Sequence, residues 1–433
     1  MGLSNAFFNK KQFDTMNEHL RFIGNVLKDG RGGVCYGFHI DGSESDPYER
    51  VTYLEDAVGM TPAAMNFTSG SFDWGSWRNA FFIPRPCMLK FDGTVDYYLD
   101  EADYSKKADG VTASDIASDA YGGNAMMEWG RDNRLIWYAI VPDAGDDTSA
   151  SIYIADHQVD ERFNCWSFID AQGNIIPHFY TPIYNGFSDS NDVMRSLSGK
   201  TPTASLTAAT ERTRCRNNNA SSPIWDTEVY ADVILINLLL VLISKSTNSE
   251  VFGKGKSSGG QSGVINTGTM NDKGLFWGAS AETSGVKVFG MENWWGNLWR
   301  RFGGLVNVNG TAKYKLTRGP HDGSVANDYV ISATAADYAG YKVGKAVPAS
   351  ISGTYIDAMY FDSNQFTPKS AGGSDSTYYC DGLWTNNGQV DYALRGGHAS
   401  AGLQCGAFYL YLDSPASSAF WSFAAAPSCK PLL

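Results

Sequence analysis

The chain has 433 residues and a formal net charge of −12, with 34 Lys and Arg against 46 Asp and Glu. Its basic residues never run longer than two, which argues against a nucleic-acid partner. Charged residues reach only 18%, below the roughly 25% of an average soluble domain, while aromatics reach 13% and glycines number 46. That balance fits a loop-rich extracellular or virion protein better than a cytosolic enzyme. Seven scattered cysteines, none in C-x-x-C spacing, speak against a dense disulfide framework and a structural zinc site.

The first predicted element is a helix over residues 5–28. Phe8, Phe13, Met16, Leu20, Ile23 and Leu27 recur at three- and four-residue steps, and Gly30, Gly32 and Gly33 stop the run. Residues 1–30 therefore read as an N-terminal helix for attachment, for an oligomer contact, or docked on the chain's own core. No apolar stretch follows Lys10 and Lys11, so no secretory signal is expected. The chain is expected to be made in a bacterial cytoplasm and to leave, if it does, as part of a particle.

Residues 31–120 read as a mixed β-rich domain. Tyr36 to Asp41 alternates as a strand, and Lys90 to Leu99 reads as strand, Asp92-Gly93 turn, strand. The polar stretch 101–123 suits a domain boundary. Beyond it, residues 135–141, 151–155 and 175–184 read as strands and 186–222 as loop. Residues 225–245 read as a helix, 253–269 as a flexible Gly/Ser-rich segment, and 308–375 as an insertion hanging from the core. The apolar run at 229–244 contains Asp232 and Asn237 and spans about 16 residues, short of the roughly 20 a membrane span needs. It reads as a buried helix, and membrane insertion is not expected.

Several motifs are absent. Gly255-Lys256-Ser257 hints at a phosphate loop, but Glu250 stands where that pattern needs glycine. No G-x-S-x-G elbow and no H-E-x-x-H occurs, and the six histidines lie far apart. Asp41, Glu44, Asp46 and Glu49 are out of EF-hand register and read as a solvated acidic loop. No catalytic residue, metal or cofactor is expected.

Near the C-terminus the period becomes two. Phe408, Leu410 and Leu412 fall on one strand face, and Tyr409, Tyr411 and Asp413 on the other. In the next stretch Trp421 and Phe423 oppose Phe420 and Ser422. An outward set of Tyr, Phe, Ser and Gln suits a binding surface, because Tyr gives rigid amphipathic area and Ser adaptable hydrogen bonding. The plainer alternative is a strand with surface tyrosines.

Two motifs carry a family resemblance. Met291-Glu292-Asn293-Trp294-Trp295-Gly296-Asn297-Leu298-Trp299-Arg300-Arg301 resembles the GNVWEW segment of the C-type lectin fold of the formylglycine-generating-enzyme type. Ala393-Leu394-Arg395-Gly396-Gly397-His398 resembles the R-G-G motif that follows it there. The enzyme branch of that fold uses a close cysteine pair after R-G-G. Here Ser400 stands five residues before Cys405, so an oxidase is the least favoured alternative. The ending, with Gly402, Gly406-Ala407-Phe408 and Pro415, resembles the variable proteins of diversity-generating retroelements, which occur on phages, prophages and bacterial surfaces. Residues 122–129 and 175–185 also resemble parts of phage tail proteins that carry such domains. The chain departs from the pattern at Ala399, where the family has Trp.

The resemblance implies an α+β chain, with a C-type lectin fold over residues 121–433 and a variable region near 393–428. It implies a non-enzymatic phage tail receptor-binding protein in the virion, homotrimeric, contacting a host-surface protein or glycan and other tail proteins. A structural tail or baseplate protein is the alternative. Joined to the strand phase, it assigns ligand binding to Ser400, Ala401, Leu403, Gln404, Tyr409, Tyr411, Asp413, Ser414, Ser418, Phe420 and Ser422. It assigns scaffold roles to Trp294, Trp299, Asn297, Arg395, Phe408 and Trp421.

Overall fold

The computed structural model describes residues 33–322, 324 and 328–433, so the helix expected over residues 5–28 lies outside the described residues. The apolar run at 229–244 forms the helix Tyr230–Ser244, every residue of which is buried. A helix apolar on all sides needs a core on all sides. Its two polar interior side chains act as ties. Asp232 Oδ1 accepts from Lys430 Nζ at 2.9 Å. Asn237 donates to the Ala407 carbonyl at 2.7 Å and accepts from the Trp294 indole at 3.0 Å. Buried polar groups are tolerated where they are so partnered. The helix begins later than expected because Trp225–Thr227 pairs as a strand.

The architecture is β-rich, and three larger sheets contribute to one apolar core with this helix. The first is antiparallel, in the order Val51–Glu55, Cys35–Ile40, Asp146–Ala155, Trp137–Asp143. The second runs Trp225–Thr227, Pro427–Cys429, Phe179–Pro182, Gly123–Trp129, Arg85–Lys90, Val95–Tyr98. The Asp92-Gly93 turn joins its last two strands, with Gly93 at φ 85°. The third has nine strands and holds Trp299–Val308, Val390–Arg395, Leu410–Leu412 and Gly382–Thr385 side by side.

Pairing crosses the boundary expected at residue 120. Arg85–Lys90 pairs with Gly123–Trp129, and Cys35–Ile40 with Asp146–Ala155. The stretch 308–375 does not hang free. It supplies Thr311–Tyr314, Lys342–Ala346, Ser352–Asp362 and Gln365–Gly373 to the nine-stranded sheet. Ile356, Met359 and Phe361 from this stretch are buried in the core. The expected loop 186–222 contains the helix Ala208–Arg216, capped by the Thr207 side chain. All seven cysteines are free. Among the described residues no helix is long and apolar enough to cross a membrane.

Candidate functional site

The two sequence motifs, about a hundred residues apart in the chain, meet in space. Gly296 N donates to the Gly396 carbonyl at 2.9 Å, and Arg395 Nη1 donates to the Trp294 carbonyl at 2.5 Å. The Arg395 guanidinium lies 3.3 Å from the centre of the Trp294 ring. Glycine is required where the chain leaves this contact. Gly396 and Gly397 sit at φ 88° and 82°, and a Cβ on Gly397 would stand 2.5 Å from Cys405 Sγ. Such φ values strain any residue with a Cβ.

A buried charge triad fixes the turn. Glu228 accepts from Arg395 Nη2 at 2.8 and 2.9 Å and from Arg300 Nη1 at 3.1 Å. Arg300 also bonds Asn185 and the Glu292 carbonyl. Burial pushes Arg395 down to about 9, with the Glu228 carboxylate acting in the opposite sense. Nearby, Asn297 accepts from Ile265 N at 2.9 Å, while its backbone N donates to the Lys256 carbonyl at 2.6 Å. The Gly/Ser-rich segment 253–269 is thereby pinned rather than loose. Gly260 N and Gly402 N extend the seam by bonding Ala399 O and Ser257 O.

On this frame stands a continuous pile of aromatic rings. Trp299, first residue of its strand, has its ring centre 4.5 Å from Tyr409, 5.3 Å from Tyr411 and 5.8 Å from His398. Trp384 sits opposite Tyr411 on the parallel neighbouring strand. Trp421 meets His398 edge-on at 5.3 Å, and Tyr411 and Phe420 both pack on Phe423. The pile reaches the surface: Phe420 is 52% exposed, and Trp384, His398, Tyr411 and Trp421 are partly exposed. Burial holds His398 down to about 4, so its ring is neutral near pH 7.

The expected ligand-binding residues divide into two groups. Ser400 is exposed, and Ala401, Leu403, Gln404, Tyr411, Asp413 and Ser418 are partly exposed. Tyr409, Ser414 and Ser422 are buried, which corrects their outward assignment. The strand is only Leu410–Leu412, so alternation starts after Tyr409. The Tyr409 ring lies against Trp299. Its hydroxyl accepts from Trp384 Nε1 and donates to Gln404 Oε1, each at 2.8 Å. Ser414 Oγ bonds the Tyr411 hydroxyl, and the Ser422 carbonyl accepts from Trp299 N.

Among the expected scaffold residues, Trp294, Trp299, Asn297, Arg395 and Phe408 are buried. Trp421 is partly exposed, a correction to its inward assignment. Residues 418–422 form no strand, so period two does not hold there. Trp384 and His398 are members of the face that the sequence did not reveal. Trp384 enters through parallel pairing, which has no local signature, whereas His398 directly follows the R-G-G motif. Among the described residues no group of three or more His, Cys, Asp or Glu is placed to hold a metal ion. No family model and no curated protein matches the chain.

Proposed function

We propose that the chain is a non-enzymatic binding protein of the C-type lectin type, displayed on a phage tail, that engages a host-surface protein or glycan through this aromatic face. The observation that carries the reading is the ring pile surfacing at Phe420, Trp421, Tyr411 and Trp384, bordered by Ser400, Gln404, Asp413 and Ser418. Aromatic anchors within a small polar rim, on a frame locked by buried hydrogen bonds, are the composition of a rigid binding patch. The lectin-type reading draws support from the meeting of the two motifs at Gly296 and Gly396. A homotrimer would raise weak single-site affinity by avidity.

The test is adsorption of the labelled full chain to a panel of bacterial strains. Phe420→Asp and Trp421→Asp should abolish binding to a recognised strain, whereas Ile175→Asp, remote in sequence and 47% exposed, should not. Equal adsorption by all variants would refute the assignment. The diversification component is tested separately, by searching the neighbouring DNA for a near-copy of codons 398–433 that differs at adenines. One observation favours a second reading, a static tail protein. Tyr409, Ser414 and Ser422 are buried and hydrogen-bonded, positions at which free substitution would damage the frame.

A further inference from the structure

A second concavity shares no residue with the aromatic face. It is a cleft of about 570 Å³, within the roughly 300–1,000 Å³ of small-ligand sites. One wall is the hairpin formed by Ala64–Asn66 and Ser71–Asp73 with the turn that follows, which carries Phe72, Trp74 and Arg78. Another wall is the segment 272–277, which carries Asp272, Lys273 and Trp277, and Glu101 completes the polar lining.

The cleft has a fixed frame. Phe72 and the buried Phe276 stack at 4.5 Å, tying hairpin to segment, and Trp74 meets both rings edge-on. Trp277 exchanges two backbone hydrogen bonds with Lys287, at 2.9 and 2.7 Å. Gly274 N bonds the Ala102 carbonyl, and Tyr104 N bonds the Asn271 carbonyl. Glu101 is held between Arg78 at 3.4 Å and Arg131 at 3.1 Å.

The chemistry of the lining selects a class of ligand. Trp74 and Trp277 are partly exposed, with Arg78 over the Trp74 ring at 4.8 Å and Lys273 Nζ over the Trp277 ring at 5.9 Å, so a ligand that stacks on either indole displaces or shares it with a cation. The lining charges balance, Arg78 and Lys273 against Glu101 and Asp272. A balanced lining gives no net attraction to an anion or a cation. It does offer both charged acceptors and charged donors, which make the stronger hydrogen bonds to neutral partners. A pyranose presents an apolar C–H face for an indole and paired hydroxyls for carboxylate and guanidinium. We propose that this cleft is a second binding site, for a neutral saccharide, with Trp277 and Trp74 as stacking rings and Glu101, Asp272 and Arg78 as hydroxyl partners. The inference does not depend on the C-terminal face.

The test titrates the full chain by calorimetry and tryptophan fluorescence with maltotetraose, cellotetraose, chitotetraose, mannotetraose and a heparin-derived tetrasaccharide. At least one neutral tetrasaccharide should bind, and Trp277→Ala should weaken it about tenfold or more. Phe420→Ala, on the other face, should leave that affinity unchanged. Because Trp277 is partly buried, thermal melting accompanies the titration. If that variant melts early, the exposed Asp272→Ala decides, with a several-fold loss expected. The proposal is overturned if no neutral tetrasaccharide binds, if the heparin fragment binds more tightly than all of them, or if the deciding variant keeps wild-type affinity.

Discussion

Replacing Glu228 by Gln probes whether the charge triad holds the R-G-G turn. Glu228 is 1% exposed and is the shared counter-charge of Arg300 and Arg395. The amide has the same shape and keeps one acceptor oxygen, so the change removes charge rather than volume. Removing one partner of a buried ion pair costs about 3–5 kcal/mol, since the other charge stays buried and unpaired. Two guanidiniums lose their partner here, which pushes toward the top of that range. Arg300 retains Asn185 and the Glu292 carbonyl, and Arg395 retains the Trp294 carbonyl, which pushes back. A loss of about 4 kcal/mol is therefore expected in urea unfolding followed by near-UV circular dichroism. The exposed control Glu49→Gln should stay within about 0.5 kcal/mol. A Glu228→Gln loss under about 1 kcal/mol would refute the reasoning, because it would mean that the arginines are not held as buried cations.

Three further outcomes are expected. Phe408→Ala removes a buried ring that packs on Phe366 and Tyr379 and should cost about 3–5 kcal/mol. Phe420→Ala, half exposed, should cost under about 1 kcal/mol, and similar losses at both sites would contradict the assigned faces. Gly397→Ala should destabilise by roughly 1–3 kcal/mol, whereas Gly402→Ala, with open space around its Cβ, should cost less; equal effects in chemical denaturation would remove the steric argument. The third concerns pH. Burial raises Glu211, Glu250 and Asp391 to about 7, so each binds its proton more tightly folded than unfolded. Their stabilising contribution is complete below the ordinary carboxylate range and is lost as pH rises through about 7. His398, lowered to about 4, acts with opposite sign between there and its ordinary 6.5, one group against three. The melting temperature should therefore fall from about pH 5 to about pH 7, and Asp391→Asn should flatten the slope. A rising profile would show that these carboxyls do not dominate.

Legibility in the sequence tracked locality. The helix Tyr230–Ser244 and the hairpin at Asp92-Gly93 are readable because an apolar run and an Asp-Gly turn are local signals. The helix Ala208–Arg216 was not, because Arg212, Thr213 and Arg214 leave no apolar stripe, and its support comes from capping and from Arg212 bound to Asp226. The R-G-G turn was visible as a pair of glycines. The burial of Tyr409 was not, since it depends on Trp384 and Gln404 arriving from elsewhere in the chain. The 308–375 stretch reads as an insertion for the same reason. Its two main strands, Ser352–Asp362 and Gln365–Gly373, pair with register shifts that break a clean alternation, and only cross-strand partners reveal that they complete the sheet.

The strand Pro427–Cys429 lies inside its sheet, between Trp225–Thr227 and Phe179–Pro182. Its neighbours leave the ribosome two hundred or more residues before it does. Throughout that interval Phe179–Pro182 presents a bare hydrogen-bonding edge, the kind of surface that recruits foreign strands. Lys430 reaches Asp232 in the central helix only when the same segment arrives, so that carboxylate also waits for its cation. This sheet therefore closes only when residues 427–429 arrive. Ribosome stalling upstream of residue 427 should leave a chain that depends on chaperones and aggregates without them.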